Sequence, residues 1–320
     1  MTEPTTVEAK PSKAGSASAV QYSRSIEEHA ATPRRLIVED RAGELVVVGE
    51  DRQDVLITAQ ITVDADDERE ARARLASVRL PIAASRDTLT VGPPDLPPGE
   101  PPLLQVLRHF GIQRGTQIAI RIAVPHGVLV RAVQRAGSLR VSGVDGPCEI
   151  EVHAGSVQVS DIRGALRVET HLGSTRLADI SGDVAVDSRA GRVLADRVGG
   201  TLHVTARRGT VVARGVRGTV DIDARGGKVV LEDAGGGARV RTRAGSVEWR
   251  GKVNAPVDIE SRAGSVKVAV TPDSAFWVDA EARGGTVRSE LPVDYLRKPE
   301  AGAPTVKLRA HAGTIRIVAV

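Results

Sequence analysis

The chain has 320 residues, a net charge of +4 and an aromatic content of 2%. So small a charge on so long a chain does not by itself call for nucleic acid, and so few aromatics leave little to fill a thick globular core. A single cysteine, Cys148, excludes an intramolecular disulfide framework, and no segment approaches the ~18 apolar residues of a membrane-spanning helix.

In chain order, residues 1–33 are rich in Ala, Ser, Thr, Pro and charge and read as a disordered N-terminal tail. They carry no apolar run resembling a secretory signal, so a cytoplasmic protein is expected. From residue 34 to 320 one β-solenoid domain is expected. Its first part, 34–116, opens with Leu36-Ile37-Val38, the turn Arg41-Ala42-Gly43 and Leu45–Val48, followed by a strand from Val55 to Val63. Asp64 to Arg79 reads as a helix, with acids at its start and Arg72, Arg74 and Arg79 towards its end, as the helix dipole favours. Ala71, Leu75 and Val78 give it one apolar face. A helix placed there suits a cap over the open end of the coils, whose exposed edges otherwise invite pairing. Residues 92–102 hold six prolines and read as a stiff loop, and Leu103, Leu107 and Phe110 suggest a short amphipathic helix that packs on the cap or docks a partner.

Strands Gln117–Val124 and Val128–Val133 lead into regular coils over 117–290. There glycine returns every 18 residues, from Gly137 through Gly155, Gly173, Gly191, Gly209 and Gly227 to Gly245. A second series, from Gly146 to Gly236, falls nine residues later in each repeat. Between glycines the chain alternates apolar and polar, as in Leu166-Arg167-Val168-Glu169. A fixed period with a glycine at each half-repeat is the mark of an all-β, single-stranded β-helix, or β-solenoid, with about 18 residues per coil. Its two sheets need only a thin core at roughly 10 Å separation, which agrees with the shortage of aromatics. The glycines are expected at the corners, with φ > 0. The period slips at Gly264 and Gly285, where Trp249–Pro256 and Thr271–Phe276 carry insertions. A final part, 291–320, holds the excursion Leu291–Pro304, read as a second cap, and the last strands around Gly313.

Stacking the repeats turns positions into columns. Ile150, Val168, Val186, Val204, Ile222, Val240 and Ile259 form one β-branched column, and Val157, Val193, Val211, Val229, Val247 and Val266 another, with Thr175 the odd member. Both are expected to line the interior. Cys148 stands in a column with Leu166, Val184, Leu202 and Val220, which makes it a small core residue.

Two residues before each glycine the column is always basic: Arg135, His153, His171, Arg189, Arg207, Arg225, Arg243, Arg262, Arg283 and His311. Strand alternation points it outward. Bare charges ~4.8 Å apart repel by about 0.9 kcal/mol per neighbouring pair even at the dielectric of water. The column two residues earlier supplies acids at Glu151, Glu169, Asp187, Asp223, Glu260 and Glu281, so one reading is an outer salt-bridge ladder. The other is a linear anion-binding ridge centred on Arg189, Arg207, Arg225, Arg243, Arg262 and Arg283. It gains where Thr205 and Arg241 replace the acids, within 201–252, a stretch with eleven Arg or Lys against five Asp or Glu. An anionic polymer or a protein is the partner class implied. Nucleic acid is compatible but not indicated, since aromatic stacking residues are scarce. His153 and His171, each beside a glutamate, are weak candidates for a divalent metal; otherwise no metal, no small-molecule cofactor and no membrane insertion are expected. Every Gly-rich segment is a solenoid corner and no paired carboxylates stand free of arginine, so no catalytic residue is assigned and a non-enzyme is expected.

The unit Leu36–Val48 followed by Val55-Leu56-Ile57, the run Ile120-Arg121-Ile122-Ala123-Val124-Pro125, the Arg-Ala-Gly-Ser-Val type turns and the closing Gly313-Thr314-Ile315-Arg316-Ile317 resemble the bacterial putative-adhesin family of β-strand-repeat proteins, a domain of unknown function. The resemblance covers residues 35–320. It implies a single-chain β-helix without assigned catalytic residues, acting as an adhesin-like scaffold or binding module. A bactofilin-like self-assembling protein is the alternative, and a carbohydrate-active β-helix enzyme the least favoured.

Overall fold

The computed structural model describes residues 7–8, 20–65, 67–95, 116–271, 276–292 and 303–319. The segment Leu103–Phe110, most of the proline-rich loop and much of Leu291–Pro304 lie outside them. The chain divides into two compact units, residues 1–158 and 159–320. Both are all-β, each built on bent strands stacked in parallel.

In the first unit the strands are β1 (Val7–Glu8), β2 (Val20–Ala31), β3 (Arg35–Glu50), β4 (Asp54–Ala65), β5 (Ile82–Ala84), β6 (Thr88–Val91), β7 (Thr116–Pro125) and β8 (Leu129–Val144), with β9 (Cys148–Ile162) crossing the division. β3 makes one full coil. Its first half pairs in parallel with β6 on one side and β8 on the other, and its second half with β7 and β8. Strict alternation, with Leu36, Val38, Leu45 and Val47 inward and fully buried, fixes that register. Beyond the coil made by β6 and β7 the pairing turns antiparallel. β5 covers β6, β4 covers β7, and β2 covers β4 from Val20 opposite Ala65 to Ala31 opposite Asp54. Residues 20–31 are therefore a strand, where the sequence reading places a disordered tail. Their polar composition suits an outer antiparallel strand, whose backbone pairing does not depend on burying every side chain.

The helix α1 spans Glu68–Ser77. Asp67 is its N-cap, accepting from the Glu70 amide at 2.7 Å. Glu68 and Glu70 stand in the first turn and Arg74 in the last, with Arg74 paired to Glu70 at 2.7 Å. It is shorter than the expected 64–79 because Asp64 and Ala65 stay in β4, paired with Gln21 and Val20. Ala71, Leu75 and the following Val78 are buried, the helix packs on β4 and β2, and Arg24 Nη1 donates to the Leu75 carbonyl at 3.1 Å.

The second unit continues as β10 (Leu166–Ile180), β11 (Val184–Val198), β12 (Leu202–Val216), β13 (Val220–Ala234), β14 (Ala238–Gly251), β15 (Val257–Ala263), β16 (Val266–Val270), β17 (Trp277–Ser289) and β18 (Thr305–Ala319). Successive strands pair in parallel at a shift of 18, Leu166 with Val184, Val184 with Leu202, Leu202 with Val220. Both predicted interior columns are buried, each Val or Ile at 2% exposure or less. Thr175 is buried with them, its hydroxyl 3.5 Å from that of Thr170. Each such aliphatic contributes about 1.5–3 kcal/mol by burial.

The stacking order departs from chain order at the end. β18 pairs with β15 and β16 on one side and with β17 on the other, so Gly313 stacks on Gly264 and Gly285 on Gly313. The burial decides it: the interior positions of β18 hold Val306, Leu308, Ala310, Ile315 and Ile317, while those of β17 include Ala280, Ala282 and Ser289. The more apolar strand takes the inner place.

The two glycine series play different parts. At the first corner φ is positive from Gly137 to Gly264 and at Gly313, +141° at Gly191 and +130° at Gly209, with Gly285 the exception. At the second corner the glycines are not left-handed; a Cβ on Gly218 would meet the Gly200 carbonyl oxygen at 2.3 Å, so they are there for close approach. The left-handed residue stands three earlier, at Gly143, Asp161, Asp179, Arg197, Gly215, Asp233 and Gly251. Aspartate tolerates that conformation better than most residues. Arg197, the less suited one, is held by Asp179 through two hydrogen bonds of 2.6 and 2.7 Å.

Candidate functional site

The left-handed glycine at the first corner turns the chain from one sheet into the other. The residue two before it ends the first sheet facing outward, because its neighbours three and one positions earlier face the core. Parallel register then repeats that placement in every coil, with Gly173 beside Gly191, Gly191 beside Gly209 and Gly209 beside Gly227. In the second unit this aligns Arg189, Arg207, Arg225, Arg243 and Arg262, all exposed. Spatial order then puts His311 next and Arg283 last, since β18 stacks before β17.

The expected salt-bridge ladder forms only in part. His171 lies 3.4 Å from Glu169, His311 3.7 Å from Glu260 and Arg283 3.7 Å from Glu281; in the first unit His153 lies 3.2 Å from Glu151. Among the described residues Arg189, Arg207, Arg225, Arg243 and Arg262 make no ion pair, although Asp187, Asp223 and Glu260 are on the same face.

Three further arginines join this edge: Arg241, which the sequence reading already notes in the acidic column, and two that it does not single out, Arg208 and Arg192. Arg208 replaces the usual alanine one before the glycine, in register with Ala190, and Arg192 replaces the usual serine or threonine one after it, in register with Thr210. Arg241 stands in the acidic column, in register with Asp223. All three are exposed and without an ion pair among the described residues. The signal was a departure from each column's consensus, visible once columns are compared side by side. Lys228, at the same corner, is engaged: it lies 3.1 Å from Glu248 and holds that carboxyl below its usual range.

The remaining candidates behave differently. Among the described residues no group of three or more His, Cys, Asp or Glu stands together as a metal site. Cys148 is buried, and burial pushes its thiol up to about 12, as a core residue rather than a nucleophile requires. A cavity of 460 Å³ in the first unit is lined by Gln60, Thr62, Thr116, Gln117 and Ser138 with one carboxylate, Glu44, which Arg140 already engages. No described helix is long and apolar enough to cross a membrane.

Fold and corner together define an all-β solenoid repeat protein with an exposed arginine edge. No family model matches the chain, and no curated protein does. Among solved structures, a "putative adhesin" from Bacteroides fragilis is 12% identical with a TM-score of 0.45, over 92% of this chain and 97% of that one. A "putative lipid binding protein" from Parabacteroides distasonis is 13% identical with a TM-score of 0.34, and a "putative adhesin" from the same organism 12% identical with 0.29; each covers 92% of this chain and 96% of its own.

Proposed function

We propose that the chain is a non-enzymatic β-solenoid binding module, its solenoid domain taking in residues 34–320, which presents the arginine ridge to an anionic polymer. The observation that carries this reading is the run Arg189, Arg207, Arg225, Arg243 and Arg262. These five exposed arginines occupy one corner of five successive coils and have no acidic partner among the described residues. A coil repeat of ~4.8 Å sets a spacing suited to a chain of phosphate, sulfate or carboxylate groups. The backbone is fixed by parallel pairing on both sides, so little ordering is needed on binding. Planar guanidinium groups hold such oxyanions through paired hydrogen bonds. Arg192, Arg208 and Arg241 widen the same edge, and Arg283 extends it beyond His311. The scarcity of aromatics favours a polyphosphate or acidic glycan over single-stranded nucleic acid.

The test is titration of the full chain with long-chain polyphosphate and with a polyuronate at several salt concentrations. Binding should weaken steeply with salt, as counterion release requires. Replacing Arg207, Arg225 and Arg243 together by Glu should abolish it. Equal binding by that variant, or no binding at low salt, overturns the reading. The bactofilin-like alternative needs open coils at both ends, whereas β4 and β5 cover those of the first unit.

A further inference from the structure

The last coil of the second unit ends on β17. One edge of this strand pairs with β18 from Trp277 opposite Thr305 to Ser289 opposite Ile317, and no other described strand pairs with it. Its interior-facing Val287 is 42% exposed, one of two large aliphatic side chains exposed among the described residues. The equivalent Ile315 and Val266 are at 0% and 1%. Among the described residues β17 thus presents an unpaired backbone edge with an apolar end of the core beside it, which folded proteins seldom leave uncovered.

We propose that β17 pairs with β17 of a second copy of this chain, making a closed two-fold dimer. The strand bends at Gly284-Gly285, so its first half, Trp277–Ala282, lies in one sheet and its second half, Thr286–Ser289, in the other. A two-fold axis along the strand direction lays the first half of one copy antiparallel to the second half of the other, twice over. Interior must face interior, which restricts the register to steps of two. In the register with Ala280 opposite Val287 and Val278 opposite Ser289, the outward pairs are Asp279 opposite Arg288 and Glu281 opposite Thr286. Arg288 is exposed and has no ion pair among the described residues, and Asp279, engaged by Arg309, keeps acceptor sites for a second donor.

Charge favours this register over its neighbours. A slip of two residues one way gains Glu281 opposite Arg288 but puts Asp279 against Glu290; the other way, Arg288 faces Trp277 and no opposite charges meet. Pairing first half with first half sets Asp279 against Glu281, and second half with second half sets Arg288 against Arg288. Like charges directly opposite disfavour a sheet pair. The interface is isologous and uses the same β17 edge of both copies, so this contact closes at two. This inference does not rest on the arginine ridge, and either can fail without the other.

The experiment is sedimentation of the full chain over a range of concentrations, with Arg288→Glu beside the native sequence. The native chain should be a dimer, and Arg288→Glu, which sets Glu against Asp279 twice, should raise the dissociation constant by about tenfold or more with an unchanged melting temperature at low concentration. Register is read separately by mild oxidation of Ala280→Cys and Val287→Cys proteins. Mixed, they should form a disulfide-linked dimer; alone, neither should. A chain monomeric at every concentration overturns the proposal. So does a dimer indifferent to Arg288→Glu, or cross-linking of Ala280→Cys by itself.

Discussion

Asp40 and Gln134 are the two strongest polar intruders in the first unit, at 4% and 0% exposure. Gln134 Nε2 donates to Asp40 Oδ2 at 3.0 Å, yet Asp40 Oδ1 and Gln134 Oε1 have no partner among the described residues. Burial raises the Asp40 carboxyl above its ordinary 3.8, against the opposing hydrogen bonds from Gln134 and the Arg41 and Ala42 amides. A group whose folded pKa is raised binds its proton more tightly folded than unfolded. Its contribution is full below pH 3.8 and falls away as pH rises through the folded value. A protonated Asp40 also carries the donor that Gln134 Oε1 lacks. Asp40→Asn supplies a permanent donor without the charge and is expected to stabilise the protein at pH 8 by about 1 kcal/mol, a gain that shrinks towards pH 4. Urea unfolding at the two pH values checks it; a loss of stability at pH 8 would show that the ionised carboxylate is the preferred form. Neither residue stood out in the sequence, because Asp40 follows the alternation of Leu36 and Val38 and only burial reveals its cost.

The coil corner explains which parts of the fold were legible. An 18-residue period with alternating Val and Ile fixes which residues form each coil and which face inward, and the interior columns follow from it. It also aligned the arginines from Arg189 to Arg262, since a ridge is a column by another description. The period does not fix which coil lies beside which once a connection is long enough to skip one. Residues 290–304 are such a connection, so Gly313 was read after Gly285 rather than before it. Nor does it show antiparallel pairing, and β2 was missed for that reason. Two glycines of successive coils illustrate how local the demands are. At Gly209, φ is +130° and an added Cβ would lie 1.8 Å from the Gly191 carbonyl oxygen. Gly226 is one before the left-handed position, where Ala190 and Ala244 stand in other coils, and a Cβ there meets nothing closer than 3.7 Å. Gly209→Ala is expected to cost about 3 kcal/mol or more. Gly226→Ala should gain about 0.5 kcal/mol by restricting the unfolded chain. Thermal unfolding of the pair separates strain from mere change of residue; equal effects would contradict the corner geometry.

For the molecule as a whole, the consequence of the ridge is a conflict between folding and charge. Parallel register, which the buried Val and Ile columns enforce, forces like charges into line along the corner. Of the acids that could offset them, Glu169, Glu260 and Glu281 pair with His171, His311 and Arg283, and among the described residues Asp187 and Asp223 make no ion pair. The native state therefore carries a repulsion that the unfolded chain escapes, and anything that neutralises the line favours the native state. Simple salt does this weakly by screening, while one polyanion spanning several coils does it in a single binding event. Tripolyphosphate is therefore expected to raise the melting temperature by more than sodium chloride of equal ionic strength. The variant with Glu at 207, 225 and 243 alternates in sign with Arg189 and Arg262 only at its borders, so it should lose the tripolyphosphate effect while keeping the small response to salt. If the two salts act alike on the native sequence, the arginine line is screened as independent charges and offers no site for a connected anion. If tripolyphosphate stabilises both proteins equally, its site lies elsewhere on the chain. A selective effect on the native sequence would tie the charge strain at the corner to the ligand that relieves it.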